Sequence, residues 1–474
     1  MVLHCVQDMK IPEGTNLLVK GPCKILIESG LIDIFGKDFH ENDIVEIPSG
    51  KVYPVKILME TELKFIGECQ KTRVKELFTE SWLKAIEIVR EKVKEKKPLK
   101  VLVLGFCDVG KSSFTITLAN TLLDDGIKVG IVDSDIGQAK IGIPGIISGA
   151  ILDKKRVSMD ELLPTTFYFI GDNTPAGHLL QVLIGVDKVT MELIKMGAEI
   201  VIIDTTGMVF GGPARALKMG KISLMNPDLI VTIERENELY HLKSLIPKNK
   251  LIEVKSPPRI KKIPREIRIN RRREKITEFF KEYEKMTLKM NDLKFEYVFL
   301  KTGMPIPNPN LIFGEDVVYA ELSPDVFLLV VRNIKNRREI LENARRFIVT
   351  IKTVYLAKKL GMDVSERIRT SPLLTHLNEE SVLRLGSIIA ERKPDEISIQ
   401  IIKDNYYNGL LVGLSDDNDE FIGVGIVKEI DFEKGYVNII ARKLKEGGIS
   451  KVWIGYLRYD DEFYEVEKRK IGLG

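Results

Sequence analysis

The residues best placed to do chemistry lie in one short run, VLVLGFCDVGKSS, Val101 to Ser113. Gly105, Gly110, Lys111 and Ser112 satisfy G-x-x-x-x-G-K-[ST] at every fixed position. Glycine lets backbone approach a ligand closely, and the N–H groups of such a loop and of the helix behind it converge on phosphate oxygens. In that arrangement the lysine reaches the β- and γ-phosphates of a nucleoside triphosphate, and the serine hydroxyl ligates Mg²⁺. The flanks agree: KVLVLG reads as a strand and SSFTITLANTLLDD as the helix that follows. Gly105, Asp108, Val109, Gly110, Lys111, Ser112 and Ser113 are therefore the nucleotide-contacting candidates. Cys107, inside the loop, reads as a small residue filling space rather than as a redox switch.

Carboxylates come next. KVGIVDSDIGQ puts Asp133 and Asp135 at the C-terminal end of a predicted strand, two apart and so pointing the same way. Ligands of parallel sheets sit at that end, so one or both carboxylates should face the γ-phosphate, there to take a hydroxyl proton or hold the metal's waters. A turn that merely favours aspartate is the plainer alternative. EIVIIDTTG closes an apolar strand on Asp204, a Walker-B-like arrangement that would orient Mg²⁺; a structural role is its alternative. FYFIGDNTPAGH is another strand end, and its His178 reads as a helix-start or surface residue sooner than a catalyst. From Arg259 through Lys275 nine positive residues face only Glu266 and Glu274. Arg268 and Arg272, four apart, share a face if the segment is helical. The segment is either a solvated basic linker or a lid whose arginines close on a transferring phosphoryl group or a polynucleotide backbone.

The elements that must position these residues are also legible. At 474 residues the chain is long for one domain, and 44% hydrophobic with 30% charged residues is ordinary for a protein with a buried core. A net charge of +4 excludes a polycation, so any nucleic-acid site must come from local clustering. Cys5, Cys23, Cys69 and Cys107 form no CxxC pair or metal spacing, which favours a reducing compartment. No leader-like or membrane-spanning run is present, and a cytoplasmic location with no membrane partner is expected. Scarce glutamine beside abundant Lys, Glu and Ile resembles a thermophile's bias. The fold class expected is α/β: a central P-loop domain with a parallel sheet, an N-terminal small all-β domain, and a C-terminal mixed, β-rich domain. The expected boundaries are 1–75 for the first domain, 76–97 for a helical connector, 98–290 for the P-loop domain with a basic lid helix near 265–285, and 291–474 for the last.

With these residues in view, the chain resembles the polynucleotide 5′-hydroxyl kinases, the RNA-end kinases of tRNA splicing, ribosomal RNA maturation and messenger 3′-end processing, in an archaeal form. GFCDVGKSS, VDSDIGQ, GDNTP, IDTTG and the basic R-x-x-x-R-x-x-x-I-x-x-F-F carry the likeness, with VKGPCKILIESG…IPSGKVYPVK before them and GLLVGL…FIGVGIVKEID after. The resemblance implies an ATP-dependent kinase (GTP and dATP are open alternatives) that uses Mg²⁺ held by Ser112, Asp135 and Asp204. Its substrate would be RNA 5′-hydroxyl ends, with DNA an alternative, and its partners proteins of RNA processing. Lys111, Asp135, Arg268 and Arg272 would be catalytic, Asp135 as the base and the two arginines as lid. Gln138, Asn173, Thr174, Thr205 and Met208 would lie at the substrate. Met208 stands where several relatives carry a tryptophan that stacks on the terminal base, so weaker gripping or a different stacking side chain is expected. Residues 315–395 align with nothing in the family. A nucleotide-loaded scaffold and a regulatory GTPase are the competing readings; the latter lacks an N-K-x-D element after Asp204, where Asn249-Lys250 is followed by Leu-Ile.

Overall fold

The computed structural model describes residues 6–257 and 264–469. Arg259, Lys261 and Lys262 of the basic segment lie outside the described residues. The chain divides into two compact units, Met1–Phe279 and Phe280–Gly474.

In the first unit, strands between Val6 and Val74 form an antiparallel sheet around the long pair Cys23–Ile34 and Val52–Gly67. Alternating burial along Cys23–Ile34 is what the in-out period of a strand requires. The helix Glu80–Glu95 follows, capped by the Thr79 hydroxyl and burying Trp82, Ala85, Ile86, Val89 and Val93. Trp82 stacks edge-on against Phe114 of the helix Lys111–Asp124, and one continuous apolar cluster runs from Ile11 to Val254.

The P-loop sheet has the order Thr166–Phe169, Ile146–Ile151, Val129–Ser134, Ile200–Thr205, Leu99–Gly105, Leu229–Glu234, Leu251–Lys255. The last five strands are parallel, and all but the edge strand Leu251–Lys255 are largely apolar and buried, as strands covered on both faces must be. The expected parallel sheet thus holds for its larger part, but the other two strands are antiparallel to their neighbours. The short connection from Val129–Ser134 to Ile146–Ile151 contains no crossover helix, so the chain turns back beside the strand it has just left. The basic segment is helical over Arg265–Phe279, with Ile276 and Phe279 on its buried side.

The second unit holds a sheet ordered Glu284–Lys289, Tyr436–Lys443, Phe421–Asp431, Leu410–Ser415, Lys451–Arg458, Lys294–Glu296. Beside it Val317–Leu322, Val326–Val331 and Ser398–Lys403 form a smaller sheet, packed on the helices Arg337–Lys359 and Glu379–Ile388. This is the structure of the stretch that the sequence left without a counterpart. No helix of the described residues is long and apolar enough to cross a membrane.

Candidate active site

The phosphate loop is shaped by its backbone. Gly105 closes its strand where a Cβ would lie 2.7 Å from the Ile233 carbonyl, and Gly110 enters the helix at φ 102°, a left-handed value that suits glycine. Asp108 is also left-handed, at φ 55°. Val109 is buried, and the Ser113 carbonyl accepts from the Thr117 hydroxyl at 2.8 Å. Lys111 is only 7% exposed and its Nζ donates to the Phe106 carbonyl at 2.7 Å, so the ammonium curls over the loop. Burial lowers its pKa, against the pull of Asp204 and Asp135. Cys107 packs on Gly207, where a Cβ would stand 2.4 Å from its sulfur.

Asp204 ends the neighbouring strand at 0% exposure, and its Oδ2 accepts from the Ser112 hydroxyl at 2.7 Å. Its Oδ1 is buried without a hydrogen-bond partner among the described residues. Burial alone would push this carboxyl up, yet Lys140 and Lys111 outweigh it and hold the pKa below the usual range. A hydroxyl, an ionised carboxylate and an orphaned oxygen form the donor set that takes Mg²⁺ together with phosphates. Ser112 and Asp204 therefore fit the metal.

Asp133 and Asp135 differ more than their spacing implies. Asp133 is buried, and its carboxylate accepts the N–H groups of Asp135 at 3.1 Å, Lys140 at 2.5 Å and Ile141 at 3.1 Å. Burial pushes it up to about 6. It shapes the loop. Asp135 is half-buried; its Oδ1 accepts from Gly137 at 3.3 Å and Gln138 at 3.1 Å, while Oδ2 has no hydrogen bond among the described residues. Gln138, half-buried, thus enters through its backbone.

The GDNTP loop comes up against this one. A Cβ on Gly137 would lie 2.5 Å from the Asn173 carbonyl oxygen. Asp172 Oδ1 accepts from the Asn173 and Thr174 N–H groups at 2.6 and 3.3 Å, and its Oδ2 meets His178 Nε2 at 3.2 Å. His178 does start the helix Leu179–Lys195, but it is buried, as the anchor of the loop. Arg268 reaches the phosphate loop from the helix Arg265–Phe279, its Nη2 donating to Asp108 Oδ2 at 2.6 Å. Arg272, one turn on, is half-buried. Lys275 bonds Asp160 at 2.9 Å and the Lys140 carbonyl at 2.5 Å.

Thr205 is fully buried in the floor, its hydroxyl donating to the Val103 carbonyl at 2.8 Å and accepting from Lys218 Nζ at 2.9 Å. Met208 is half-buried; two residues on, Phe210 is 57% exposed and packs on Phe106 of the phosphate loop and on His241. Sequence reasoning passed over Lys140, Lys218 and Lys221. The last two are fully buried on the helix Gly212–Met225, Lys221 donating to the Ser134 hydroxyl at 2.7 Å, which in turn donates to the Asp204 carbonyl at 2.7 Å. Their signal is present: Ala214, Leu217, Lys218, Lys221 and Met225 follow the buried-face spacing of a helix.

Loop, strand order and the serine–aspartate pair define a P-loop domain built to hold a nucleoside triphosphate. Residues 105–282 match the family described as mRNA cleavage and polyadenylation factor CLP1 P-loop. The chain is 29% identical over 399 residues to a polyribonucleotide 5′-hydroxyl-kinase of Pyrococcus horikoshii, covering 84% of this chain and 96% of the relative. A Methanocaldococcus jannaschii protein of the same description is 29% identical over 374 residues, 78% of this chain and 90% of its own. The solved Clp1p of a Clp1p–Pcf11p complex shares the fold at a TM-score of 0.58 and 12% identity, over 96% of this chain and 98% of that one.

Proposed function

We propose that this chain is a polynucleotide 5′-hydroxyl kinase acting on RNA, the activity that the relatives' descriptions name for them, and that it uses ATP and Mg²⁺. The observation that supports it is convergence on one phosphate loop: Lys111 curls over it, Ser112 pairs with Asp204, Arg268 bonds Asp108, and the Asp135 carboxylate is near enough to act on the Lys111 charge. Phosphoryl transfer needs positioning and charge neutralisation more than covalent help. Lys111 leaves the Phe106 carbonyl for the β- and γ-phosphates. Asp135 Oδ2 takes the proton of the incoming 5′-hydroxyl while Oδ1 stays fixed by the loop. Arg268 exchanges Asp108 for the transferring phosphoryl group, with Arg272 on the same face of the lid. Bound Mg²⁺ supplies neutralisation of the phosphate oxygens, held by Ser112 and Asp204. Asn173 and Thr174 grip the first nucleotides, and Phe210 is the exposed aromatic that takes over base stacking where Met208 replaces the tryptophan. Protein partners of the Pcf11p kind belong to the same proposal.

The test is transfer from γ-labelled ATP with Mg²⁺ to oligonucleotides bearing 5′-hydroxyl or 5′-phosphate ends, as RNA and as DNA. Label confined to 5′-hydroxyl strands, lost in Asp135→Asn while ATP still binds, is the expected result. Bound ATP with no labelled strand would overturn it in favour of the scaffold, and phosphate release alone in favour of a nucleotide switch.

A further inference from the structure

Lys140 has no task in the reaction just described, yet the fold holds it with care. Its N–H donates to Asp133 Oδ2 at 2.5 Å, and its carbonyl accepts from Lys275 of the lid helix at 2.5 Å. With the main chain gripped on both sides, the side chain, 21% exposed, brings Nζ to 3.2 Å from Asp204 Oδ2. That is the oxygen that also accepts from Ser112.

A fully buried carboxylate is costly without a cation beside it. Asp204 has one in Lys140. Burial acts to lower the pKa of that ammonium, but Asp204, Asp133 and Asp135 outweigh it and raise it, so the group carries its charge at any working pH. The same carboxylate and the Ser112 hydroxyl form the pair that fits Mg²⁺. Whether a divalent ion takes the shared Oδ2 or the unpartnered Oδ1 of this one carboxylate, it comes within a few ångström of the ammonium, and the two like charges repel strongly.

We propose that Lys140 is a resident counter-ion of Asp204 that competes with the divalent metal, so that loading of metal and nucleotide requires its ammonium to leave Asp204 Oδ2. This rests on the kinase reading for the metal's place. Lys140 then sets how much Mg²⁺ the enzyme needs. The lid feels the exchange through Lys275, which holds the same residue's carbonyl.

The experiment measures binding of a fluorescent ATP analogue to the full chain, without RNA, across a Mg²⁺ titration. It compares the parent with Lys140→Met, which keeps the stem and loses the charge, and with Lys140→Arg, which keeps the charge. Lys140→Met should reach half-saturation at about tenfold lower Mg²⁺, the lower end of what one charge-assisted hydrogen bond is worth. Lys140→Arg should stay close to the parent. In thermal melts Lys140→Met should fall below the parent without metal and gain more than the parent when Mg²⁺ and nucleotide are added. Lys140→Gln serves in the same titration if the methionine variant does not fold. An unchanged Mg²⁺ requirement overturns the proposal by making the contact a plain ion pair. A raised requirement overturns it by making Lys140 a phosphate ligand. Failure of the kinase reading looks different: the parent itself then labels no 5′-hydroxyl end, or takes up no nucleotide at any Mg²⁺ level.

Discussion

The Asn173 carbonyl oxygen lies 2.5 Å from the point where residue 137 would carry a Cβ, were it not glycine. No side chain can give way there, because the obstacle is backbone. Glycine at 137 thus seats the GDNTP loop on the Asp135 loop, while the Asp172–His178 pair fixes the GDNTP loop from behind. Gly137→Ala should push the two loops apart and misplace the incoming strand. A misplacement near 1 Å can cost about 10²-fold in rate. That loss is expected in kcat/KM for 5′-hydroxyl RNA, with ATP affinity near the parental value, and steady-state kinetics with a separate ATP titration would show it. Equal losses toward both substrates would contradict the placement.

Arg268 and Asp108 join the basic helix to the phosphate loop at 2.6 Å, with the arginine 24% and the aspartate 15% exposed. If Arg268 acts on the transferring phosphoryl group, Arg268→Ala should lower single-turnover rate by about 10³-fold or more. Arg268→Lys should recover little, since a point charge does not reproduce the planar fork. Asp108→Asn discharges the resting partner while still suiting the left-handed backbone at φ 55°, and a partly exposed pair is worth about 0–1 kcal/mol, so stability should barely move and rate should fall far less than for Arg268→Ala.

The phosphate loop was legible because its chemistry fixes residue types at fixed spacing within eight positions, and Asp135 and Asp204 followed from lying at strand ends. The antiparallel edge was not. The strand Ile146–Ile151 carries Ser148, Gly149 and Ala150 where apolar bulk would announce a strand; a Cβ on Gly149 would meet Val189 at 2.6 Å, so close helix packing dictates small residues. Lys218 and Lys221 were hidden for another reason. Lysine in a helix is read as solvated, and only the tertiary supply of Thr205, Thr206 and Ser134 oxygens makes its burial tolerable. Lys140 was invisible because its partner Asp204 lies 64 residues away.

Asp160 ties the basic helix to the turn before the strand Val52–Gly67, receiving Lys51 at 2.7 Å and Lys275 at 2.9 Å. Burial acts to raise its pKa, but the two ammonium groups win and hold it well below the carboxylate range. A depressed carboxyl contributes stability that is complete above the unfolded pKa, about 4, and is lost as pH falls toward the folded value. Melting temperature of the parent should therefore drop more steeply below about pH 4 than that of Asp160→Asn. At pH 7 the variant should be the less stable of the two and should release the lid, raising KM for RNA. Parallel melting curves against pH would refute the clip.

Lys221 makes the opposite prediction, in alkali. Burial lowers its pKa to about 8, with Asp135, Asp133 and Asp204 resisting. Unfolded, it titrates near 10.4. Between those values the unfolded chain binds more protons than the folded one, so this residue's contribution to stability rises with pH. At about 1.4 kcal/mol per pKa unit, the penalty relieved on going from pH 7 to beyond 10 is about 3 kcal/mol. Lys221→Met has no such term. Its stability relative to the parent should therefore fall as pH rises from 8 to 10, as chemical denaturation at fixed pH values would measure. The same variant leaves the Ser134 hydroxyl, and through it the Asp204 carbonyl, without its outer support. Activity at pH 7 should fall even where the fold is no weaker, which separates the lysine's work beneath the metal pair from any contribution it makes to stability.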